Sequence, residues 1–525
     1  MLSRKTGSGA IPATGWKGDP MRVRTVSLLA AIVSLAASPV VAAGAPAKAT
    51  TAPKAKAAGA QLCNGTFSNG VSINVKTAVY MPDVGYITNA KPPTPVITAA
   101  NQTVCDVHTF AWNQFLYLTQ SDPKTPNVAR FMQLAPWYNA LTVGPKPGAY
   151  PGGQTDLRTS FLDQSQAGTD GHLIDTANQT VRYDIRFDQY MYASIVDQNY
   201  YTAPLFNTAC NPDPANNGNC KNNDKIWMIP SGANEHPEPG STEVKTAWRD
   251  FGLPTNCPSS QYFCQGRFGL VGFHFVNKTF SHGEWIWASF EHVGNDPDCA
   301  PGGDETIAPM SPINTKWSFF NTQTVPPSVM SSKVCNVTNN PPQCNFNPNP
   351  TGKAFIPVNV CRTDMISAGG ASSANCTVNT SSPNNPGNVA CLNATIMPQL
   401  SGVWRNYKMI GSVWVSGGMG PNQDFRIQIF QSQVQGLPYV APAGFTNLAD
   451  TTMETWLQKG STGYDPFGTN AKQAGCFLCH NEPSGFGKGN RQADMSHFPG
   501  KLPLLKLQAL KATLIKASDT VKAPR

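Results

Sequence analysis

The stretch RFGLVGFHFVNKTFSHGEWIWASFEHV, residues 267–293, has the most distinctive pattern in the body of the chain. Two segments rich in aromatic residues, 270–276 and 284–290, flank a polar turn at residues 281–283. Aromatic and β-branched runs on both sides of a short polar turn are typical of paired antiparallel strands. The stretch therefore predicts a β-hairpin.

The same hairpin carries several side chains that could bind a metal ion or form a functional polar cluster. They are His274, His282, His292, Glu284 and Glu291. His274 lies between Phe273 and Phe275, and neighbouring residues of a strand point to opposite faces. The five residues therefore do not share one face, and a purely structural role is the alternative to a metal site.

Further strands and one helix are indicated on both sides of the hairpin. Alternating or β-rich patterns predict strands at residues 180–187, 243–249, 403–415 and 425–430. Val107, Ala111, Phe115 and Leu118 recur at helical spacing and predict a helix over residues 104–118. His108 in this helix is a core or surface residue or, alternatively, a distant ligand of a bound cofactor. Residues 295–400, rich in Pro, Asn, Gly and Cys, predict irregular loops.

A second decisive motif lies near the C-terminus, where residues 474–480 read AGCFLCH. Cys-x-x-Cys-His is the attachment signature of a c-type haem. The two thiols, Cys476 and Cys479, would bind the two vinyl groups of one porphyrin, and His480 would bind the iron. A redox dithiol needs a βαβ context and a zinc site needs a second Cys/His pair, and neither is evident nearby.

Two residues after the motif are candidates for the second axial ligand of the iron. Met495 and His497 both lie in the segment DMSHF, residues 494–498. A thioether ligand raises the reduction potential, whereas a second imidazole lowers it. Met495 is the favoured ligand, His497 is the alternative, and an open position is the third possibility.

The beginning of the chain has the features of an export signal. Residues 1–43 contain an upstream region and a leader, with Met21 as the expected start, two arginines, a short apolar run and small residues for cleavage. Residues 44–60 form an Ala/Lys/Pro linker that is too poor in large apolar residues to fold. No segment of the mature chain has transmembrane length. We therefore expect a periplasmic or secreted protein.

The cysteine content agrees with export. The chain has 14 cysteines, and the 12 outside the haem motif are an even number suited to disulfide bonds in an oxidising compartment. Close pairs occur in loop-rich segments: Cys210/Cys220, Cys257/Cys264 and Cys335/Cys344. The spacing does not determine the connectivity.

The charge of the chain gives no indication of a nucleic-acid partner. The formal net charge is +8, but nearly all of this excess lies in the leader and the linker. The body is close to neutral, without the clustered basic surface that nucleic-acid binding needs.

Several segments resemble a loosely defined family of exported bacterial mono-haem cytochromes c. The similarity rests on FAWNQFL (residues 110–116), EVK with Trp248, GFHFVNKT (residues 272–279), WIWASFEHV (residues 285–293), NLA with TMET (residues 447–455) and the haem motif. The resemblance implies one covalent haem c. It implies no particular substrate, and Met495 departs from the aromatic segment that the family has at this position.

Together these patterns predict an α+β protein: a large β-rich, disulfide-bonded domain at residues 61–444, then a small all-α cytochrome c-like haem module at residues 445–525. Helices at residues 447–459 and from Leu502 onward would enclose the haem. The expected function is transfer of single electrons to or from a redox partner protein or a small-molecule donor or acceptor. The alternatives are a periplasmic haem-dependent oxidoreductase, whose large domain binds a substrate, and a haem-based sensor.

Overall fold

The structure is a computed structural model of the full chain. It describes residues 63–86, 97, 101–152, 173–177, 179–202, 229–231, 240–250, 268–297, 317–320, 386–415, 418, 442–444 and 450–453. All of these residues belong to one unit of the chain, Ala58–Arg525.

A seven-stranded antiparallel sheet forms the centre of the described structure. Its strands are β3 (Ala135–Pro136), β4 (Val181–Phe187), β5 (Thr242–Asp250), β6 (Phe268–Asn277), β7 (Ile286–His292), β8 (Tyr407–Val415) and β9 (Pro442–Gly444), paired in that order. Each strand pairs with its neighbours in sequence order, and the predicted hairpin provides strands β6 and β7 in the middle. A separate two-stranded ribbon joins β1 (Ser121–Asp122) and β2 (Thr125–Ala129).

The helices are few and mostly short. They are α1 (Val104–Thr119), α2 (Trp137–Ala140), α3 (Gln189–Asp197) and α4 (Pro386–Ile396), with 3₁₀ turns at Arg130–Gln133, Met397–Gln399 and Gly402–Asn406. Helix α1 begins with a capping box, because the Thr103 side chain accepts a hydrogen bond from the Asp106 N–H and the Asp106 carboxylate accepts one from the Thr103 N–H.

One face of the sheet is covered by α1 and α4. Phe115 of α1 stacks on Phe290 of β7, with ring centroids 4.1 Å apart, and meets Phe273 of β6 edge to face at 5.4 Å. Val389 and Leu392 of α4 are fully buried in the same cluster. Burial of these large apolar surfaces, about 25 cal/mol for each Å², is the main source of stability on this face.

The opposite face is covered by α2, α3 and a turn formed by Asp450–Met453. Helices α2 and α3 pack against Ile185 and Phe187 of β4. Met453 is fully buried in a cluster that includes Tyr183 of β4 and Ala247 of β5. Within the described residues, elements thus pack on both faces of the sheet.

The segment before α1 is fixed to the body by a disulfide bond and by apolar packing. Cys63 is bonded to Cys105 in the first turn of α1. Cys391 of α4 is also disulfide-bonded. Three of the 12 cysteines that were expected to be oxidised are thus bonded. The three close pairs named from the sequence lie outside the described residues, as do the leader and the linker.

The expected fold class is wrong. The described part of the chain is built on one antiparallel sheet with few helices, and it contains no all-α module. Asp450–Met453, within the range expected for that module, form a turn that is buried against the sheet. Two effects hold this turn: the Asp450 carboxylate accepts hydrogen bonds from the N–H and hydroxyl of Thr452, which compete with a helix, and the distant Ser289 and Tyr183 bond the turn to the sheet.

Other sequence expectations have mixed outcomes. Helix 104–118 and the strands at 180–187 and 243–249 are confirmed within one or two residues, and so is the hairpin, although its second strand begins at Ile286 rather than at residue 284. The prediction of a strand at residues 403–415 is wrong in its first part, because Gly402–Asn406 is a 3₁₀ turn. Helix α4 was missed, since its Pro-Gly beginning has turn chemistry while Val389, Leu392 and Ile396 repeat at helical spacing. The strand at 425–430 and the helix from Leu502 lie outside the described residues.

Within the described residues, no helix combines the length and the apolar character that a membrane crossing requires.

Candidate functional site

The residues of the haem motif, Cys476, Cys479 and His480, lie outside the described residues. The same holds for both candidate axial ligands, Met495 and His497. The donor set itself fits a covalently bound haem, because it supplies two thiols for thioether bonds and one imidazole for iron. The functional geometry that the structure does show lies on and around the central hairpin.

The five hairpin side chains that could bind a metal ion do not lie close together. His282 and Glu284 lie in the turn between β6 and β7, Glu291 and His292 lie at the far end of β7, and His274 lies between them. In the described part of the chain, no group of three or more His, Cys, Asp or Glu side chains could hold a metal ion. The hairpin does not form the metal site that its composition suggested.

The first polar group, here called the turn group, consists of Asp83, Gln102, Ser281, His282 and Glu284. The His282 ring is fully buried, with Nδ1 2.6 Å from Glu284 Oε1 and Nε2 2.8 Å from Gln102 Oε1. Both partner atoms are acceptors, so both ring nitrogens donate in this arrangement. This contact pattern is that of an imidazolium.

The turn group joins three parts of the fold that are distant in sequence. Asp83, in the segment before α1, accepts hydrogen bonds from the Ser281 N–H at 3.0 Å and the Ser281 hydroxyl at 2.5 Å. Glu284 accepts a hydrogen bond from the N–H of Val415, the last residue of β8, at 3.1 Å. The turn therefore holds the segment before α1, the approach to α1 and the end of β8 in one network.

Burial and charge oppose each other at His282. Burial by itself lowers the pKa of an imidazole, but the Glu284 carboxylate, through its charge and hydrogen bond, and the Asp83 charge outweigh it and raise the pKa of His282. Burial also raises the pKa of Asp83, against the hydrogen bonds from Ser281. Each group therefore keeps its proton to a higher pH in the folded state than it would in water.

Trp285, which follows the turn group, has a strained backbone. Its φ is +81°, in a region that large side chains rarely adopt, and its side chain is fully buried. Strain of this kind costs of order 1–3 kcal/mol and persists only where the surroundings hold it. The contacts of the turn group are the surroundings that hold the Trp285 backbone in this conformation.

The second polar group holds the turn Asp450–Met453 on the sheet. Asp450 Oδ2 accepts a hydrogen bond from the Ser289 hydroxyl at 3.0 Å, and Tyr183 donates to the Thr452 carbonyl at 2.6 Å. Glu291 lies 3.2 Å from Lys408 Nζ and accepts a hydrogen bond from the Thr451 N–H. These contacts fix the chain at the point where it continues toward the haem motif.

His292, the last hairpin histidine, takes part in neither polar group. Its Nδ1 accepts a hydrogen bond from the Gly294 N–H at 3.0 Å. Burial and the nearby Lys408 charge lower the pKa of His292, against a smaller opposite effect of Glu291. His292 is therefore a neutral residue that shapes the end of β7.

A polar row crosses the centre of the sheet on the face opposite to α1. Lys245 of β5 pairs directly with His274 of β6, and His274 pairs with Ser289 of β7. Lys245 and His274 are partly buried, whereas Ser289 is fully buried. Directly opposed side chains on one face lie about 4.5–5.5 Å apart at Cβ. Sequence analysis singled out only His274, because the cross-strand register that unites the three residues is not readable from one strand alone.

His108 is a core residue. It is fully buried on α1, its Nδ1 is 2.7 Å from Ser412 Oγ, and it meets the ring of Trp414 edge to face. Burial lowers the pKa of His108 to about 3, so the ring is neutral. Its packing between α1 and β8 agrees with the core role.

Comparison with protein-family models, with curated proteins and with solved structures found no match to this chain. The argument for function therefore depends on the residues of this chain alone.

Proposed function

We propose that the chain is an exported c-type cytochrome that binds one covalent haem and transfers single electrons to or from a redox partner. The observation that carries the proposal is the sequence Cys476-Phe477-Leu478-Cys479-His480. Haem supplies one-electron chemistry at its iron. Cys476 and Cys479 would hold the macrocycle through thioether bonds, and His480 together with Met495, or alternatively His497, would bind the iron.

Two features of the described structure support this proposal. The Cys63–Cys105 disulfide agrees with an oxidising compartment such as the one that an exported protein enters. The turn Asp450–Met453, buried on the sheet, ties the chain to the body before the haem motif begins. The sheet then serves as a rigid support for the haem-bearing segment.

The proposal is tested by staining denatured protein for haem-linked peroxidase activity. Covalent haem should remain with the polypeptide in a denaturing gel, and the double variant Cys476→Ala/Cys479→Ala should lose the stain. The matched control is Cys63→Ala/Cys105→Ala, which removes two cysteines outside the motif and should keep the stain. Persistent staining of the first variant would end the proposal.

A haem-dependent oxidoreductase is the second candidate, and the polar row on the sheet favours it. Lys245 and His274, both partly buried, bring an amine and an imidazole into direct register on one face, beside Ser289, whose buried hydroxyl donates to Asp450. A purely electron-transferring protein needs no such row, whereas a substrate site does. The two candidates differ in whether a second protein side chain would bind the iron.

Optical spectra of the oxidised and reduced protein, with and without carbon monoxide, separate the two candidates. If Met495 binds the iron, carbon monoxide should not bind and should leave the spectrum unchanged. Met495→Ala should then allow carbon monoxide to bind and should lower the reduction potential. If His497→Ala opens the iron instead, the second ligand is an imidazole. Carbon monoxide binding by the unmodified protein favours the oxidoreductase or a sensor.

A further inference from the structure

The turn group combines three features that are rarely found together. It contains a fully buried histidine whose two ring nitrogens both face acceptor oxygens, a second buried carboxylate at Asp83, and a strained residue, Trp285, directly after it. It also connects segments that are distant in sequence, because Ser281 is bonded to Asp83 and Glu284 to Val415, beside the apolar cluster in which Met81 and Val84 pack with Ile286 and Trp414. Its hold on these segments depends on charge.

We propose that the turn group is a pH-dependent lock. In the locked state an imidazolium at His282, held between Glu284 and Gln102, attaches the hairpin turn to the segment before α1 and to the end of β8. Loss of the proton from His282 removes one donated hydrogen bond and the positive charge that faces the buried Glu284 and Asp83 carboxylates. The strain at Trp285 then favours opening of the turn. This lock is independent of the haem.

Among the described residues, groups from four neighbouring parts of the fold surround His282. The segment before α1 contributes Asp83, the turn itself contributes Glu284, and the approach to α1 contributes the neutral amide of Gln102. From β8 comes the N–H of Val415, which is bonded to Glu284. Lys278, in the same turn, lies over the Trp285 ring, with Nζ 5.9 Å from the centroid. Two carboxylates thus act on one imidazole.

The direction of the pH effect follows from linkage. A histidine whose pKa is raised in the folded state stabilises that state fully below the unfolded pKa of about 6.5 and loses this contribution as pH rises through the folded pKa. The raised pKa of Asp83 likewise makes the folded state lose stability as pH rises. This loss begins at lower pH, because the ordinary pKa of an aspartate is lower than that of a histidine. The lock is therefore closed in acid solution and opens as pH rises through the raised pKa of His282.

Native-state hydrogen exchange measures this opening in the full-length protein. The reporting amides are Ser281, bonded to Asp83, and Val415, bonded to Glu284. Because opening releases one proton, the opening constant should rise about tenfold per pH unit above pH 6.5, until the folded pKa of His282 is passed. The amide of Phe273, in the centre of β6, is the reference for opening of the whole sheet, and the two reporting amides should open with larger opening constants than Phe273.

A pair of variants separates the lock from general destabilisation. His282→Gln keeps a hydrogen-bonding side chain but cannot titrate, so the two reporting amides should lose most of their pH slope. His274→Gln removes another histidine of the same hairpin, outside the turn group, and should leave that slope unchanged. Equal slopes in the unmodified protein and in His282→Gln would overturn the proposal.

The ring nitrogens of His282 give a test that needs no variant. If the lock is correct, nitrogen chemical shifts in the unmodified protein show both ring nitrogens protonated at pH 7. The rival arrangement has a neutral ring that donates to Glu284 and accepts from a rotated Gln102 amide. Finding that neutral ring at pH 7 would overturn the proposal even if His282→Gln fails to fold.

Discussion

Because Gly272 has no side chain, the turn 450–453 can lie directly on β6. A Cβ at this position would clash with Thr452 Oγ1 and would lie 3.2 and 3.3 Å from the two Asp450 carboxylate oxygens. We expect Gly272→Ala to lower the free energy of unfolding by about 1–3 kcal/mol, the usual cost of overpacking. Thermal or denaturant unfolding measures the change.

The matched control for this substitution is Gly144→Ala. An added Cβ there meets no atom within 4 Å, and the residue is exposed. Its effect should stay within about 0.5 kcal/mol. If both alanine variants unfold alike, the turn is not held against the sheet as described.

At the scale of an element, the turn Asp450–Met453 depends on one carboxylate. Asp450 accepts hydrogen bonds from Ser289 and from the N–H and hydroxyl of Thr452, all in a fully buried position. Hydrogen bonds to a charged group contribute about 1.5–3 kcal/mol, and a donor left without its partner adds a penalty. We expect Asp450→Ala to lower the free energy of unfolding by about 2–4 kcal/mol, as measured by denaturant unfolding.

An exposed aspartate serves as the control for Asp450→Ala. Asp197, at the end of α3, lies 3.7 Å from Lys146 Nζ, and both side chains are largely exposed. Ion pairs of this kind contribute about 0–1 kcal/mol. A loss at Asp450 no larger than the loss at Asp197→Ala would show that the turn is not anchored by its carboxylate.

At the scale of the whole molecule, the Cys63–Cys105 bond closes a loop of 42 residues between the first described segment and α1. Loops of this length are stabilised by roughly 2–4 kcal/mol when they are cross-linked. We expect Cys63→Ala/Cys105→Ala to lower the free energy of unfolding by that amount under non-reducing conditions. Alkylation without reductant, followed by mass spectrometry, should find both thiols protected in the unmodified protein. Free thiols at both positions would contradict the structure.

Much of the sheet was predictable from local patterns. The aromatic hairpin, the alternation at Val181–Phe187 and the helical spacing of α1 each express a period of one element, and each was confirmed. The turn at residues 450–453 was not predictable, because its geometry depends on Ser289, Tyr183 and Gly272, which lie far away in sequence. Helix α4 was missed because its Pro-Gly beginning has the composition of a turn.

The candidate sites divide in the same way. The haem motif is a local pattern of five residues, so the sequence alone determined the proposal of a covalent haem and of electron transfer. Only the tertiary structure decided that His282 and Glu284 form a buried pair while Glu291 and His292 lie at the other end of the hairpin. Likewise, only the strand register places Lys245, His274 and Ser289 in one row. The residues that attach a covalent cofactor lie close together in the sequence, so a short motif identifies them. Burial and cross-strand pairing depend instead on which distant segments the sheet brings together.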